Sequence, residues 1–183
     1  PDLFYDPKES HTFAKVWKAA IALRVRVMPL ATLSKKHAAQ YDRANNVVHV
    51  SEAEFTRPTS TTKRSTAHEL YHVVQNRNVL TKVSTAKQRA ALIDKGVLAM
   101  KEDEYVRQAW SKEVKAEAFA WTCDGETLNH FERAQGKSGF PADFLLSVVK
   151  QRVGEFTQQK KREYAIKARR DYRAISRRHG VKL

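Results

Sequence analysis

A disulfide framework is excluded, because the sequence holds a single cysteine, Cys123. One thiol suits a reducing compartment, and its expected role is that of a small buried apolar residue, ahead of a metal ligand or reactive thiol. Long hydrophobic runs are also missing. The apolar stretches Ala19 to Leu23 and Phe144 to Val149 fall far short of the ~20 residues that cross a bilayer, so no membrane span is expected. No stretch near the N-terminus combines a basic start, an apolar middle and a small-residue cleavage site, so no secretory signal peptide is expected. A cytoplasmic protein, or an effector delivered into a host cell, fits these absences. Internal repeats and low-complexity tracts are lacking too. Acidic residues are few: 20 Asp and Glu stand against 34 Lys and Arg, a net charge of +14. The imbalance is local, since residues 151–183 carry eleven Lys/Arg and three Asp/Glu, a net +8, leaving +6 for the first 150 residues.

What is present describes a globular chain. Hydrophobic residues make up 42% and charged residues 30%, which excludes a disordered composition. The length of 183 residues suits one domain with a real core and is too short for two full ones. Phe13, Val16, Trp17, Ala20, Leu23 and Val27 recur close to a helical period, predicting a helix over Thr12 to Val27 that Pro29 ends. From Ala39 to Val50 turn formers separate two short extended runs, which predicts a hairpin, or a strand after a turn, with Val47 to Val50 as the clearest strand. Pro58 and the N-capping run Thr59 to Thr62 introduce a helix to about Gln75. Further helices are expected over about Thr85 to Lys101 and Asp103 to Cys123, with breaks at Gly125 and at Gly136 to Gly139. Pro141 suits the first position of a final long helix to about Arg178.

Chemistry concentrates in His68-Glu69-Leu70-Tyr71-His72. On a helix, positions i and i+4 share one face a turn apart, so both imidazoles converge on one point. Zinc takes imidazole nitrogen readily, and catalytic zinc keeps three protein ligands and an open position for water. The metal lowers that water's pKa toward ~7, and Glu69 is placed to take its proton and hand it to a leaving amine. Two solvated histidines on a surface helix would give the same spacing. Ala67, Leu70, Val73 and Val74 argue against that, because they bury this part of the helix, where unpartnered imidazoles beside a carboxylate are costly.

A third ligand must come from elsewhere. Glu113 and Glu117 are also i and i+4, on a helix whose apolar face includes Trp110, Val114, Phe119 and Trp121. Paired with Lys112 and Lys115, the same carboxylates would form a solvated face. From spacing alone either glutamate qualifies as the ligand. Donors to an oxyanion are not announced by any motif; Tyr71, Tyr105, His130 and His49 are the candidates.

Ala67-His68-Glu69-Leu70-Tyr71-His72, followed by Glu113-x-x-Ala116-x-x-Phe119-Ala120, resembles zincin peptidases of the gluzincin type, especially ImmA/IrrE-like proteins. The resemblance spans roughly residues 40–122. It implies a zincin core, a zinc ion held by His68, His72 and Glu113, and Glu69 as catalytic base. Glu117 then stands where that family has Asn or Asp, a partner to a ligand and not a ligand itself. The resemblance also makes the extended run Asn46 to Val50 (Val47, Val48, His49, Val50) the edge strand that aligns a peptide substrate through backbone hydrogen bonds. Two features depart from the family. The gap between the motifs is long, with an added helix at about Thr85 to Lys101. In a register like that of thermolysin, Glu117 would be the ligand, with Trp121 where an acid is expected. A histidine-only site using His130 would look more like a SprT-type protease.

The final helix admits two readings. Lys160, Lys161, Arg162, Lys167, Arg169, Arg170, Arg173, Arg177 and Arg178, with Tyr164 and Tyr172 interleaved, form a face suited to phosphate backbones and to stacking on bases. Yet Phe156, Tyr164, Ala168, Tyr172 and Ile175 make a core-facing stripe at helical spacing, with the basic residues as its solvated back. The sequence therefore predicts an α+β, mostly helical fold: a zincin-like domain over residues 1–140 with a small sheet, and a basic helix over 141–183 packed on it or extending from it. The expected function is zinc-dependent hydrolysis of a protein or peptide substrate. The alternative is a nucleic-acid-associated protein that uses a zincin-like scaffold, with contacts through Lys160 to Arg178.

Overall fold

The computed structural model describes residues 11–31, 33 and 38–181; residues 1–10 of the predicted domain lie outside them. Helix α1 (His11–Ala22) buries Phe13, Trp17 and Ala20, the apolar face read from the sequence. It stops sooner than its periodicity predicts. Arg24 adopts a φ of 59°, a left-handed helix end, and the chain leaves as strand β1 (Arg26–Leu30). Val25 and Val27 fit a helical and an extended period equally, and pairing with a neighbouring strand decided between them.

Strands β2 (Ala39–Asp42) and β3 (Val47–Ser51) form the expected hairpin. Its turn is fixed by Asp42, whose carboxylate accepts from the Asn45 amide N–H at 3.0 Å and from its side chain at 2.7 Å, and by Asn46 at a φ of 55°. The sheet order is β1-β3-β2, with β1 parallel and β2 antiparallel to β3. This corrects the expectation for Val47, Val48, His49 and Val50. They lie on the central strand, paired along both edges, so they offer no free backbone to a substrate. Among the described residues, the unpaired edge nearest the histidines belongs to β2.

A short helix α2 (Glu52–Phe55) leads into α3 (Ser60–Gln75), which carries both histidines. Helix α4 (Arg77–Leu80) follows, then α5 (Ala86–Leu98), begun by a capping box of Thr85 and Gln88. Helix α6 (Glu102–Ala134) starts with Glu102, Asp103 and Glu104 against the positive end of its dipole. It does not break at Gly125. Glycine costs only about 1 kcal/mol against alanine within a helix, and the packing of α6 along the next helix carries it through this position. The break falls at Gly136 and Gly139, with φ of 77° and 76°. A side chain at Gly139 would strike the Asn129 amide oxygen, which accepts the Phe140 N–H at 2.6 Å.

Helix α7 (Ala142–Arg178) then returns antiparallel along α6, with Pro141 as its N-cap. Tyr172 donates to the Met100 carbonyl at 2.8 Å, and Arg173 makes a two-pronged pair with Glu102 at 3.0 and 3.1 Å. Tyr164 and Phe156 pack around Trp110 with ring centroids 5.8 and 5.6 Å away, and Ala168 and Tyr172 are buried. The stripe therefore faces the protein, and its tyrosines are not presented to bases as the nucleic-acid reading requires. The main core lies between α1, the sheet, α3 and α6, with Leu70, Val73, Val48, Val50 and Ala120 fully buried and Cys123 among them. No helix among the described residues is long and apolar enough to cross a membrane.

Candidate metal centre

Helix α3 starts where the sequence expects. The Thr59 hydroxyl caps the Thr62 N–H at 3.2 Å. From there, Ala67, Leu70 and Val73 bury one face against the sheet and α1. This rotation turns His68 and His72 toward α6, which presents Glu113 and Glu117 one turn apart.

The four side chains meet. His68 Nε2 lies 3.1 Å from His72 Nε2 and 3.2 Å from Glu113 Oε2, while the other Glu113 oxygen is 3.4 Å from His72 Nε2. His68 is 9% exposed, so the cluster is largely screened from water. Donors about 2.0–2.2 Å from a tetrahedral ion stand roughly 3.3 Å from one another. The two imidazole nitrogens stand close to that separation, one Glu113 oxygen lies near each, and His68, His72 and Glu113 form a group able to hold a metal ion. Glu117 is not part of it. Its Oε2 meets the far nitrogen of His68, Nδ1, at 3.0 Å, and its Oε1 accepts from Trp121 Nε1 at 2.9 Å. Glu113 is thus the third member of the group, and Glu117 orients its first.

The outer contacts settle where the protons are. Glu117, a carboxylate held below its usual pKa range despite burial by the hydrogen bond and charge of His68, can only accept, so His68 Nδ1 donates. His72 Nδ1 lies 2.7 Å from Gln75 Oε1. The Gln75 amide cannot be reversed, because its NH₂ donates to the Lys112 carbonyl at 3.1 Å. His72 Nδ1 therefore donates as well. Both Nε2 lone pairs are left aimed at one point beside a carboxylate, an arrangement that calls for a cation. Without a metal a proton serves. Burial alone would lower the His68 pKa, but hydrogen bonds to Glu113 and Glu117 and the charge of Glu69 lift it to about 10. Glu113 moves the opposite way: burial favours its neutral form, and its two imidazole partners outweigh that and hold it far below the carboxylate range.

Glu69 is on the same side of α3, partly buried, with its Oε2 accepting the Tyr41 backbone N–H from the unpaired edge of β2 at 3.0 Å. Burial raises its pKa, and the Glu113 charge adds to this against the opposing pull of both histidines and the Tyr41 N–H. A carboxyl lifted from its usual range is a better proton acceptor near neutral pH.

A cavity of about 280 Å³ opens in front of the cluster, lined by Glu69, His72 and Glu113 together with the β2 edge residues Ala39 to Tyr41. Tyr105 lines it, as a donor must. Tyr71 does not: its ring stacks on Phe119, 5.0 Å away, on the core side of α3. His130 sits thirteen residues, about 20 Å of helix, beyond Glu117 and is exposed. His49 is held in the central strand outside the cavity lining.

Two residues at the site escaped the sequence reading. Gln75 orients His72 from one turn further along α3; an amide at i+3 from a ligating histidine is a signal that could have been used. Tyr164 comes from α7, the helix judged by its charge. It lines the cavity beside Glu113, and burial with the Glu113 and Glu69 charges raises its pKa, so it stays protonated and able to donate. No local pattern links it to α6. Comparisons with protein-family models, with curated proteins and with solved structures found no match to the chain.

Proposed function

We propose that the protein is a zinc-dependent peptidase that cleaves peptide bonds of a protein substrate. The observation that carries this reading is the convergence of two imidazole lone pairs and one carboxylate beside a second carboxyl, Glu69, placed for proton transfer. Two nitrogens and one oxygen suit zinc, and three protein ligands leave a position open as catalytic sites require. Zinc there would polarise the scissile carbonyl and make water acidic enough to attack near neutral pH.

The chain's own groups then have distinct tasks. Glu69, held by the Tyr41 N–H, accepts the proton of the attacking water and delivers it to the leaving amine. Tyr164 keeps its proton and donates a hydrogen bond to the oxyanion that develops on the carbonyl. Ala39 to Tyr41, on the open edge of β2, align the substrate backbone by adding it as a further strand. Glu117 and Gln75 hold the imidazoles in the tautomer that coordinates.

The test combines metal analysis with one substitution. The purified protein should carry close to one zinc per chain, and Glu69→Gln should keep that zinc while losing peptide hydrolysis by at least about 10³-fold, as expected for a lost general base. Unchanged hydrolysis in Glu69→Gln would remove the mechanism.

A further inference from the structure

The cavity in front of the cluster has a charge that peptide hydrolysis does not need. Arg43 reaches it from the β2–β3 turn, Lys112 from α6 and Lys167 from α7, one turn beyond Tyr164. The three cations come from three separate elements, so the charge is not simply the solvated back of one helix. None of them has a carboxylate within ion-pair distance among the described residues. Other surface cations do find one: Arg173 pairs with Glu102, Arg178 with Asp94 and Lys160 with Glu163. Two carboxylates outside the metal cluster share the lining: Glu69, already engaged by the Tyr41 N–H beside the histidines, and Asp171. Tyr105 and Trp110 supply aromatic walls between the cations.

Glu113 is taken up by the histidines and Glu69 by the Tyr41 N–H, so the three cations face Asp171 alone, and that side of the cavity favours an anion. The volume has room for a side chain of a bound peptide. The β2 edge delivers a peptide to the same mouth. We infer that this cavity is a specificity pocket for an acidic side chain, Asp or Glu, next to the bond presented to Glu69. The inference deepens the peptidase reading and rests on it for its purpose, while the pocket itself is open to test by binding alone. Arg43 and Lys167 are specificity residues. Lys112 adjoins Glu113, so it is left unsubstituted.

The experiment uses the zinc-loaded Glu69→Gln variant of the 183-residue chain, in which turnover is suppressed, and two fluorescent peptides that differ only in one Glu or Gln at their centre. The Glu peptide should bind at least tenfold more tightly. Arg43→Glu and Lys167→Glu should each abolish that preference while retaining zinc, and a peptide with central Lys should then gain affinity. Equal affinity for the Glu and Gln peptides, binding of neither, or a preference that survives both charge reversals would each overturn the pocket. The last outcome would mean that the carboxylate binds the metal directly. Hydrolysis of an unstructured protein by the parent chain is measured separately. Its absence would defeat the peptidase reading without touching the binding result.

Discussion

Tyr164 and Glu113 line the same cavity from neighbouring helices, α7 and α6, and Glu113 is the carboxylate that faces both histidines. This placement turns the basic helix from an appendage into one wall of the site. It also separates two roles that a single substitution can tell apart. Tyr164→Phe keeps the ring packed against Trp110 and Phe156 and removes only the donor. Zinc content and KM should remain as in the parent, while kcat falls by about 10²–10³-fold, the loss seen when one oxyanion donor is deleted. Steady-state kinetics on a quenched peptide would check this, and a change in KM alone would assign Tyr164 to substrate binding.

The carboxylates of α6 should separate in the same manner. Glu113→Gln takes away one of three converging donors, so bound zinc should fall to a small fraction of one per chain after dialysis. Glu117→Gln leaves the donors in place but loosens His68, and Gln75→Leu does the same for His72. Each should weaken zinc by about 10–100-fold, the usual effect of removing a hydrogen-bond partner of a ligating histidine. Competition with a chromophoric chelator measures all three. Equal losses at Glu113 and Glu117 would return Glu117 to the status of ligand.

The parts of this site that follow from local spacing were readable from sequence. His68, Glu69 and His72 share a face because a helix repeats every 3.6 residues, and Glu113 with Glu117 obeys the same rule. What could not be read depends on where distant segments cross. The central place of Val47 to Val50 follows from β1 pairing with β3, and β1 was hidden inside a helical period that ends at Arg24. Tyr164 was visible as part of an apolar stripe, but nothing in α7 says that the stripe passes over Glu113. Gly125 stands inside α6 for a related reason: propensity is local, whereas the packing of α6 against α7 is not.

His68 links the site to pH. In the metal-free protein its pKa is lifted from an ordinary 6.5 to about 10, so the native state holds a proton that the unfolded chain releases on passing 6.5. The resulting stabilisation is complete below pH 6.5 and is lost as pH rises toward 10. The Tm of the chelator-treated protein should therefore fall over that interval. Zinc must displace the same proton, so its affinity should rise with pH over the same window, and binding near neutrality should release about one proton. Calorimetric titrations in buffers of different ionisation enthalpy measure that release directly. Zinc binding without proton release would contradict the donor arrangement at His68.

The way α7 is fastened predicts how the metal site and the helix fail together. Tyr172 is buried beside Tyr105, with ring centroids 5.8 Å apart, and its hydroxyl satisfies the Met100 carbonyl at the end of α5. Tyr172→Phe removes one hydrogen bond and should cost about 0.5–1.5 kcal/mol. Tyr172→Ala leaves a cavity as well and should cost about 3–5 kcal/mol, in the range of large aromatic truncations. If α7 were an independent extension, either change would leave the zinc-bound core untouched. Because α7 instead carries Tyr164 to Glu113, Tyr172→Ala should also lower kcat, and excess zinc should recover part of the lost Tm by binding only the folded state. Thermal unfolding with and without zinc, followed beside hydrolysis, tests that coupling; a destabilised variant with full parental kcat would show that the helix and the site act separately.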